Sequence, residues 1–406
     1  MTLRFHFGGV PLKYDTVIIG GGAWGCSTAF HLSRNPDAGG KIAIIERGYI
    51  PYGQSGHTSA IIRQFYANAS TARLAKLSLR FFKNFRKHTG SDPFFTRTGM
   101  LVISDDKDEI GRTVGVLGRE HIRCSVIDRD EALRLEPGMF ISEDETIAYE
   151  PEAGFANPAA VTTGFARAAE LNGVSIFQGS NVNEIRPNSG GWSVTTTSGI
   201  FESEKLVIVA GTNTPKLASM AGLRLPVYML SFPVCYFVRP KEFKSSRRVI
   251  FDGANNFYSR PEGRDQILLG AMHSEMSYGD ASAFPLPESM HWSRCDPDYT
   301  GRVGFDIASA YSSGILSRFP AMKSAVVCRD FMPYIDITPD WEPILDSAAS
   351  SGYDNLFIGC GSSGHGFKLS PMVGKIISEF VVDGRSRSID ASAYSISRFV
   401  SGSAVT

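Results

Sequence analysis

One glycine-rich stretch near the start of the chain constrains its fold more than any other. Residues 14–46 read YDTVIIGGGAWGCSTAFHLSRNPDAGGKIAIIE, which predicts a buried strand, a tight turn, a helix and a second strand. Gly20, Gly22 and Gly25 form the pattern GxGxxG. The first glycine permits the turn, the second lets a pyrophosphate approach the backbone, and the third allows close packing of helix and strand. The phosphates are then expected at the positive end of the helix.

An acidic residue closes this unit. Glu46 stands 21 residues after Gly25, at the end of the second predicted strand, where an acid accepts hydrogen bonds from the ribose hydroxyls of adenosine. A 2′-phosphorylated cofactor is disfavoured because the residue is acidic. The alternative is that the glycines form only a tight βα turn. The strand, helix and terminal acid together favour a dinucleotide site.

Length and charge set further bounds. A chain of 406 residues favours two domains. Lys+Arg and Asp+Glu both number 41, so no overall field attracts nucleic acid or a membrane surface. The six cysteines form no CxxC pair, which suggests neither a metal site nor a disulfide framework and predicts a cytoplasmic location. The first 13 residues lack the features of a signal peptide, and no apolar run reaches the roughly 18 residues of a membrane span.

A polar loop follows Glu46 and is long for a βα connection, which indicates a functional loop. Ser55, Gly56 and Thr58 offer small donors and close backbone approach, and Arg63 follows. A surface arginine is the alternative interpretation of Arg63. Further along, amphipathic patterns predict helices over residues 74–85 and 159–172.

A second glycine-rich segment lies near the other end of the chain. A predicted strand leads into a loop that contains His365 and Lys368. Ser370 and Pro371 suit the N-cap and first turn of a helix that ends near Val382. Beside an isoalloxazine ring, the positive end of that helix stabilises negative charge on the reduced flavin. The alternative is a solvated lysine and histidine, but the loop also carries Gly359, Gly361, Gly364 and Gly366.

The middle of the chain is β-rich. Several short runs between Leu225 and Arg329, such as VYMLSFPVCYFV and QILLGAMHS, are typical of an antiparallel sheet.

With both glycine-rich segments in view, the chain resembles the FAD-dependent amine and amino-acid oxidoreductases of the D-amino-acid-oxidase superfamily, nearest the monomeric sarcosine oxidase branch. The matching blocks run from VIIGGGAWGC and SGHTSAIIRQ through LRLEP, GFANP, VIVAGTN and ITPDWEPIL to GHGFKLSPMVGK and IDASAYSISRF. The resemblance implies an α/β (α+β) fold, in which a Rossmann-like FAD-binding domain carries an inserted antiparallel β-sheet substrate domain. It assigns residues 13–75, 150–222 and 325–395 to the FAD domain, and 76–149 and 223–324 to the substrate domain.

The resemblance also assigns roles to individual residues. Arg63 and Lys368 correspond to the pair that holds a substrate carboxylate, which suits a bidentate arginine beside a lysine. His365 matches a histidine at the flavin. The predicted cofactor contacts, besides Gly20, Gly22, Gly25, Glu46, His365 and Lys368, are Ala23, Trp24, Arg47, Ser55, Gly56, His57, Thr58, Val182, Gly211, Gly361, Ser362, Gly364 and Gly366.

Two more residues are candidates for polarising or deprotonating the substrate amine. Tyr258 and His273 are chosen only because they stand on predicted strands of the substrate sheet. For each, the alternative is a hydrogen-bonded sheet residue without a catalytic role.

The chain departs from the sarcosine oxidase pattern in two places. Relatives attach FAD through a cysteine just before the TPD motif, where this chain has Met332 and Pro333 and where Cys328 is displaced. Non-covalent FAD is therefore predicted, with a histidyl link through His57 as the alternative. Oxidases of that branch place a lysine over the flavin, and the matching position here is Leu268. Without that cation, superoxide-like charge is less stabilised, which weakens the expectation of fast reaction with oxygen.

These observations predict an FAD-dependent enzyme that oxidises the C–N bond of a secondary (N-methyl or cyclic) or D-amino acid to an imine. Hydride transfer to flavin is the expected chemistry, with oxygen or an unidentified compound as electron acceptor. One alternative is a non-catalytic or electron-transfer flavoprotein that keeps the fold. Another is an NAD-dependent dehydrogenase, which leaves the GHGFK loop unexplained.

Overall fold

The computed structural model describes residues 10–243, 247–271, 301–353 and 355–399. Within these ranges the strands are β1 (Leu12–Ile19), β2 (Ile42–Ile45), β3 (Ile61–Ile62), β4 (Thr96–Arg97), β5 (Met100–Ser104), β6 (Ser125–Ile127), β7 (Thr146–Glu150), β8 (Gly154–Phe155), β9 (Ser175–Phe177), β10 (Val182–Asn188), β11 (Gly191–Thr196), β12 (Gly199–Ile208), β13 (Tyr228–Ser231), β14 (Val234–Val238), β15 (Val249–Asp252), β16 (Phe257–Glu262), β17 (Gln266–Ala271), β18 (Val326–Phe331), β19 (Tyr334–Ile337), β20 (Ile344–Ser347) and β21 (Leu356–Cys360). The helices are α1 (Ala23–Ser33), α2 (Ala69–Lys83), α3 (Phe85–Thr89), α4 (Lys107–Arg119), α5 (Arg129–Leu135), α6 (Pro158–Glu170), α7 (Thr214–Met220), α8 (Phe305–Arg318) and α9 (Gly366–Asp383).

The first sheet is built on five parallel strands in the order β9-β2-β1-β12-β21. Strand β20 pairs antiparallel with β21, and the hairpin β10–β11 pairs with the first half of β12. The parallel strands are continuous apolar runs, such as IAII in β2, because both faces of the sheet are covered. This architecture confirms the predicted α/β class with a Rossmann-like domain.

Helix packing joins the two ends of the chain. Helix α1 lies between α6 and α9 on one face of the first sheet. Gly374 allows α9 to approach closely, because a Cβ atom there would lie 2.2 Å from the Ser27 hydroxyl on α1. The largest cluster of buried apolar side chains fills this layer. The glycine turn before α1 is thereby placed beside the loop that precedes α9.

The second sheet has the order β18-β14-β17-β16-β15-β5-β7-β6. Its pairs are antiparallel, as expected, except that β15 and β5 run parallel. Strand β18 starts at Val326, inside the segment assigned above to the FAD domain, and pairs with β14 of this sheet. The division into domains at the stated boundaries stays a proposal.

Among the described residues, no helix is both long enough and apolar enough to cross a membrane.

The predicted start of the last helix is wrong. Helix α9 begins at Gly366, so Ser370 and Pro371 lie inside it and not at its N-terminus. Proline costs one hydrogen bond to the carbonyl four residues earlier. Tertiary contacts hold the extra turn in place, because the Trp24 indole donates to the Gly366 carbonyl and most side chains of α9 are buried. Lys368 consequently stands in the first turn of the helix.

The helix predicted at 74–85 starts earlier, at Ala69. The Asn68 side chain caps it by accepting hydrogen bonds from the amides of Ser70 and Thr71.

Candidate active site

A cavity of about 570 Å³ extends from the glycine turn of the first sheet to the second sheet. The two glycine-rich segments converge here, 342 residues apart in sequence. The clearest link is the hydrogen bond from Trp24 Nε1 to the carbonyl of Gly366, at 2.7 Å. The predicted residues that line the cavity are Gly20, Gly22, Ala23, Trp24, Glu46, Arg47, Ser55, His57, Thr58, Arg63, Val182, Gly211, Tyr258, Ser362, Gly364, His365, Gly366 and Lys368.

Three predicted glycines shape the backbone without lining the cavity. A Cβ atom on Gly25 would lie 1.8 Å from the Gly20 carbonyl oxygen, and one on Gly56 would lie 2.7 Å from the Pro51 carbonyl oxygen. Gly361 has a left-handed backbone (φ +67°), and a Cβ there would approach Thr338. His273 lies outside the described residues.

The turn before α1 fits a dinucleotide. Gly20 has φ +117°, and a Cβ atom there would lie 2.5 Å from the carbonyl oxygen of Val209, the residue that follows β12. Gly22 is the N-cap residue of α1 and has no side-chain cap. The amide of Ala23 donates to the Ser55 hydroxyl at 2.9 Å. An amide-bearing helix N-terminus that opens into the cavity is the arrangement that accepts a pyrophosphate.

Glu46 closes the same end of the cavity. Its carboxylate accepts hydrogen bonds from the Gly21 amide at 2.7 Å and from the Gly48 amide at 2.7 Å. These bonds hold the carboxylate at the end of β2, beside the glycine turn. A carboxylate has about four lone-pair sites, so it can accept ribose hydroxyls in addition.

A buried aspartate on β19, missed by the sequence analysis, ties two loops together. Asp336 accepts from Gln54 Nε2 at 2.8 Å, from the Gly361 amide at 2.7 Å and from the Ser362 hydroxyl at 2.6 Å. Burial raises the pKa of Asp336, while these donors oppose the rise. The early loop and the late loop are therefore fixed relative to each other. The only signal in the sequence is its position just before the TPD motif.

Arg63 lies at the opposite end of the cavity from the glycine turn and is half-buried. Its guanidinium stands 4.1 Å from the ring centroid of Tyr66 and 4.9 Å from that of Phe251. It also donates to the Phe65 carbonyl. Two aromatic faces and a carbonyl thus hold the cation at a cavity wall, and a planar, delocalised guanidinium suits such stacking.

A second acidic residue that the sequence analysis missed, Glu150, holds the backbone next to Arg63. Glu150 is fully buried and accepts from the Gln64 amide at 2.8 Å, from Gln64 Nε2 at 3.1 Å and from the Phe65 amide at 3.0 Å. Burial raises the pKa of Glu150 to about 7, against the lowering effect of these donors and of Arg63. Glu150 therefore fixes the backbone of Phe65, whose carbonyl accepts the hydrogen bond from Arg63.

Lys368 and His365 form the other side of this end. Lys368 Nζ donates to the Gly364 carbonyl at 3.0 Å. Burial, reinforced by the charge of Arg63, holds the pKa of Lys368 well below its usual range. His365 Nδ1 lies 3.2 Å from the Tyr66 hydroxyl, and burial together with Lys368 and Arg63 lowers the pKa of His365 well below normal. The imidazole is therefore neutral at physiological pH.

Tyr258 and Leu268 lie on the second sheet with different exposure to the cavity. Tyr258 lines the cavity, and burial raises its pKa to about 12. Leu268 is fully buried and packs with Val234 and Tyr236.

His57, in the early loop, also lines the cavity. Its ring contacts that of Phe331 edge-on, with 5.8 Å between the ring centroids.

A dinucleotide turn and the pair Arg63 and Lys368 share one cavity that reaches the second sheet, an arrangement typical of oxidoreductases that use a dinucleotide cofactor. The family model described as "DAO: FAD dependent oxidoreductase" matches residues 15–380. The chain belongs to this family of FAD-dependent oxidoreductases, and FAD is its cofactor.

Individual relatives agree with this assignment. The chain is 26% identical over 400 residues to the peroxisomal sarcosine oxidase of Homo sapiens, covering 96% of this chain and 97% of the relative. It is 24% identical to the sarcosine oxidase subunit beta of Rhodobacter capsulatus, covering 96% and 89%. Among solved structures, L-proline dehydrogenase from P. horikoshii superimposes with a TM-score of 0.83 at 21% identity, covering 96% of this chain and 99% of that chain.

Proposed function

We propose that the protein oxidises the C–N bond of a secondary (N-methyl or cyclic) or D-amino acid to an imine. The observation that carries this proposal is the pair Arg63 and Lys368, which lines the same cavity as the dinucleotide turn. Relatives named for the oxidation of sarcosine, and a structural relative named glycine oxidase, support the same class of substrate. Bound FAD supplies the hydride acceptor.

Arg63 and Lys368 bind the substrate carboxylate in this proposal. Arg63 is already oriented by Tyr66, Phe251 and the Phe65 carbonyl, so little side-chain entropy is lost on binding. Lys368 is buried with a depressed pKa. A bound carboxylate restores its charge, since an opposite charge nearby favours the protonated amine.

The nitrogen of the substrate must be neutral to release a hydride from the adjacent carbon. His365 is a neutral imidazole held by Tyr66, and it accepts a hydrogen bond without adding positive charge. Tyr258 stays protonated at neutral pH because its pKa is raised to about 12. Its role is therefore to orient the amine. His365, whose lowered pKa makes it a weak base, polarises the amine by accepting a hydrogen bond, and removal of a proton falls to solvent.

We propose that FAD is held without a covalent bond. Pro333 lines the cavity but has no nucleophilic atom. Cys328 is an exposed residue of β18, and its thiol donates to the Tyr236 carbonyl at 3.4 Å.

We also propose a cytoplasmic location. The cysteines among the described residues are free, which supports it.

We also propose that the reduced flavin reacts slowly with oxygen and passes its electrons to another acceptor. The support is Leu268, whose apolar side chain is buried in the second sheet. Replacing it, Leu268→Lys, is expected to raise the rate of reoxidation by oxygen about tenfold, because a cation stabilises superoxide-like charge. Stopped-flow reoxidation of the reduced enzyme measures this. Ile267→Val, whose side chain points to the other face, is the control and leaves the rate unchanged.

The main test is anaerobic titration of the purified holoenzyme with N-methyl, cyclic and D-amino acids. Bleaching of the oxidised flavin by at least one of them, with recovery of the oxo product or released amine, is expected. Arg63→Met should lose the reduction at low substrate concentration and regain it at high concentration. If no amino acid reduces the flavin while dithionite does, the proposed function is wrong.

A further inference from the structure

One face of the second sheet forms a continuous wall of the cavity. Strand register places Phe251 opposite Tyr258, Tyr258 opposite Gly270, and Gly270 opposite Val234. Paired residues of neighbouring strands face the same side of a sheet. Phe251, Tyr258 and Val234 all line the cavity. At about 4.8 Å between strands, the wall extends for roughly 14 Å away from the Arg63 cation that touches Phe251.

Gly270 makes this wall smooth. A Cβ atom on Gly270 would lie 2.2 Å from the Tyr258 ring, so the ring lies across the bare backbone of β17. The wall is therefore an apolar, largely aromatic surface with a single hydroxyl.

A second aromatic pair faces the cavity from outside the sheet. Phe232 stands two residues before Val234, and its ring meets Trp341 at 6.5 Å with an interplanar angle of 73°. Both line the cavity. Trp341 has a left-handed backbone (φ 61°), which is rare and unfavourable for a large side chain. Such strain is concentrated at functional sites.

The loop around Trp341 is built to hold this conformation. The Trp341 amide donates to the Thr338 carbonyl at 3.1 Å, and the Thr338 hydroxyl donates to the Glu342 carbonyl at 2.7 Å. Arg398 donates to the same Glu342 carbonyl at 2.7 Å. The surrounding structure thus fixes the indole at the edge of the cavity.

The acidic groups that line the cavity already accept hydrogen bonds from the protein. Among the described residues, the acidic side chains that line the cavity are Glu46 and Asp336. Glu46 is at the end of β2, and Asp336 is occupied by Gln54, Gly361 and Ser362. A charged substrate side chain placed among these aromatic residues would lose water, and the polar side-chain groups that Phe251, Tyr258, Val234, Phe232 and Trp341 carry are the Tyr258 hydroxyl and the Trp341 N–H.

We infer that the substrate carries a large apolar, preferably aromatic, side chain that packs between the wall of Phe251, Tyr258 and Val234 and the pair Phe232 and Trp341. This inference rests on the proposed function, since the carboxylate is taken to lie at Arg63 and Lys368. It excludes glycine and sarcosine as preferred substrates. Each added methylene that fits an apolar pocket contributes about 10-fold or more to discrimination.

The experiment compares sarcosine, N-methylalanine, N-methylleucine and N-methylphenylalanine, with both enantiomers of the chiral compounds, as anaerobic reductants of the holoenzyme. The second-order rate constant of flavin reduction is expected to be at least about 100-fold higher for N-methylphenylalanine than for sarcosine. Trp341→Ala should reduce this ratio about tenfold while FAD content stays unchanged. Phe94→Ala is the matched control, because Phe94 is also an aromatic residue with positive φ (49°) but is exposed and does not line the cavity.

Binding of unreactive carboxylates tests the inference separately from turnover. Benzoate and phenylacetate should perturb the flavin spectrum with a Kd at least about tenfold lower than that of acetate, and Phe232→Ala and Trp341→Ala should remove this advantage. If sarcosine is the best reductant, or acetate binds as tightly as benzoate, the inference is overturned and the proposed function stands. If no amino acid reduces the flavin but aromatic carboxylates bind preferentially, the proposed function fails and the apolar pocket is confirmed.

Discussion

The two ends of the cavity recognise their ligands with different parts of the chain. At the dinucleotide end, backbone groups provide most of the recognition, because Gly20, Gly22 and Gly25 allow amides and a helix N-terminus to reach the cavity. At the substrate end, side chains dominate, with Arg63 and Lys368 beneath an aromatic wall. Backbone recognition tolerates almost no change in residue type. Side-chain recognition can be retuned by single substitutions without loss of the cofactor.

The largest effect is expected at the backbone end. Gly25→Ala should abolish FAD binding, because the new Cβ atom would lie 1.8 Å from the Gly20 carbonyl oxygen and helix α1 must shift. Flavin absorbance of the purified protein measures the loss. Gly111→Ala is the control: nothing lies within 4 Å of a Cβ there, and the free energy of unfolding should rise by up to about 1 kcal/mol. A fully flavinylated G25A protein would contradict the close packing described here.

The substrate end should lose affinity while it keeps the cofactor. Arg63→Met is expected to lower kcat/KM about 10- to 150-fold through KM, because charge-assisted hydrogen bonds contribute about 1.5–3 kcal/mol. FAD content should be unchanged. Steady-state kinetics with the best amino acid measures the effect. Arg97→Met removes an exposed arginine paired with Glu152 and should change neither value. If Arg63→Met loses as much FAD as Gly25→Ala does, the two ends of the cavity do not have the separate roles described here.

A pH experiment sharpens the role of Lys368. Its pKa is depressed by burial and by Arg63, so the free enzyme must take up a proton when a carboxylate binds. The Kd of a carboxylate inhibitor should therefore rise about tenfold per pH unit above that depressed pKa. Lys368→Met should flatten this dependence. Lys375→Met, on the exposed face of the same helix, should retain it. An unchanged slope in K368M assigns the proton to another group.

The smallest expected effect concerns the support beneath the substrate end. The pKa of Glu150 is raised to about 7, so between about pH 4.5 and 7 the folded protein keeps a proton that the unfolded chain releases. The contribution of Glu150 to the free energy of unfolding should therefore fall as pH rises through this window, by on the order of 1–3 kcal/mol. The lowered pKa values of His365 and Lys368 act in the opposite direction. Glu150→Gln cannot ionise, so the difference between its pH dependence and that of the unchanged protein isolates the contribution of Glu150. Glu342, whose pKa burial also raises to about 7, contributes in the same direction. Denaturant unfolding at pH 5 and pH 8 measures the slope, and exposed Glu184→Gln is the control.

The backbone end could be predicted from sequence because its requirements are local. The spacing of Gly20, Gly22 and Gly25 and the following acid are set by one βαβ unit, so a short window contains the whole pattern. The start of α9 was mispredicted by the same kind of reasoning. Ser370 and Pro371 carry the local signal of a helix start, but contacts with α1 and with the indole of Trp24 extend the helix to Gly366.

The substrate end could be predicted only where a family resemblance pointed to it. Arg63, Lys368 and His365 do line one cavity. Their supports Glu150, Tyr66 and Asp336 carry no local pattern that separates them from other buried residues. The chain has 27 phenylalanines. Which of them face the cavity depends on the tertiary structure. Phe251 lies on β15, where a register shift of one residue would turn it to the other side of the sheet, while Phe232 lies outside the strands and Phe367 lies on α9.

The position of β21 has a consequence for synthesis on the ribosome. This strand completes the parallel sheet next to β12, and the α9 that follows it covers α1. A growing chain therefore leaves the surface of α1 that α9 covers exposed until residues 366–383 have been translated. Capture of the flavin is delayed until then, and prematurely terminated products should emerge colourless and prone to aggregation.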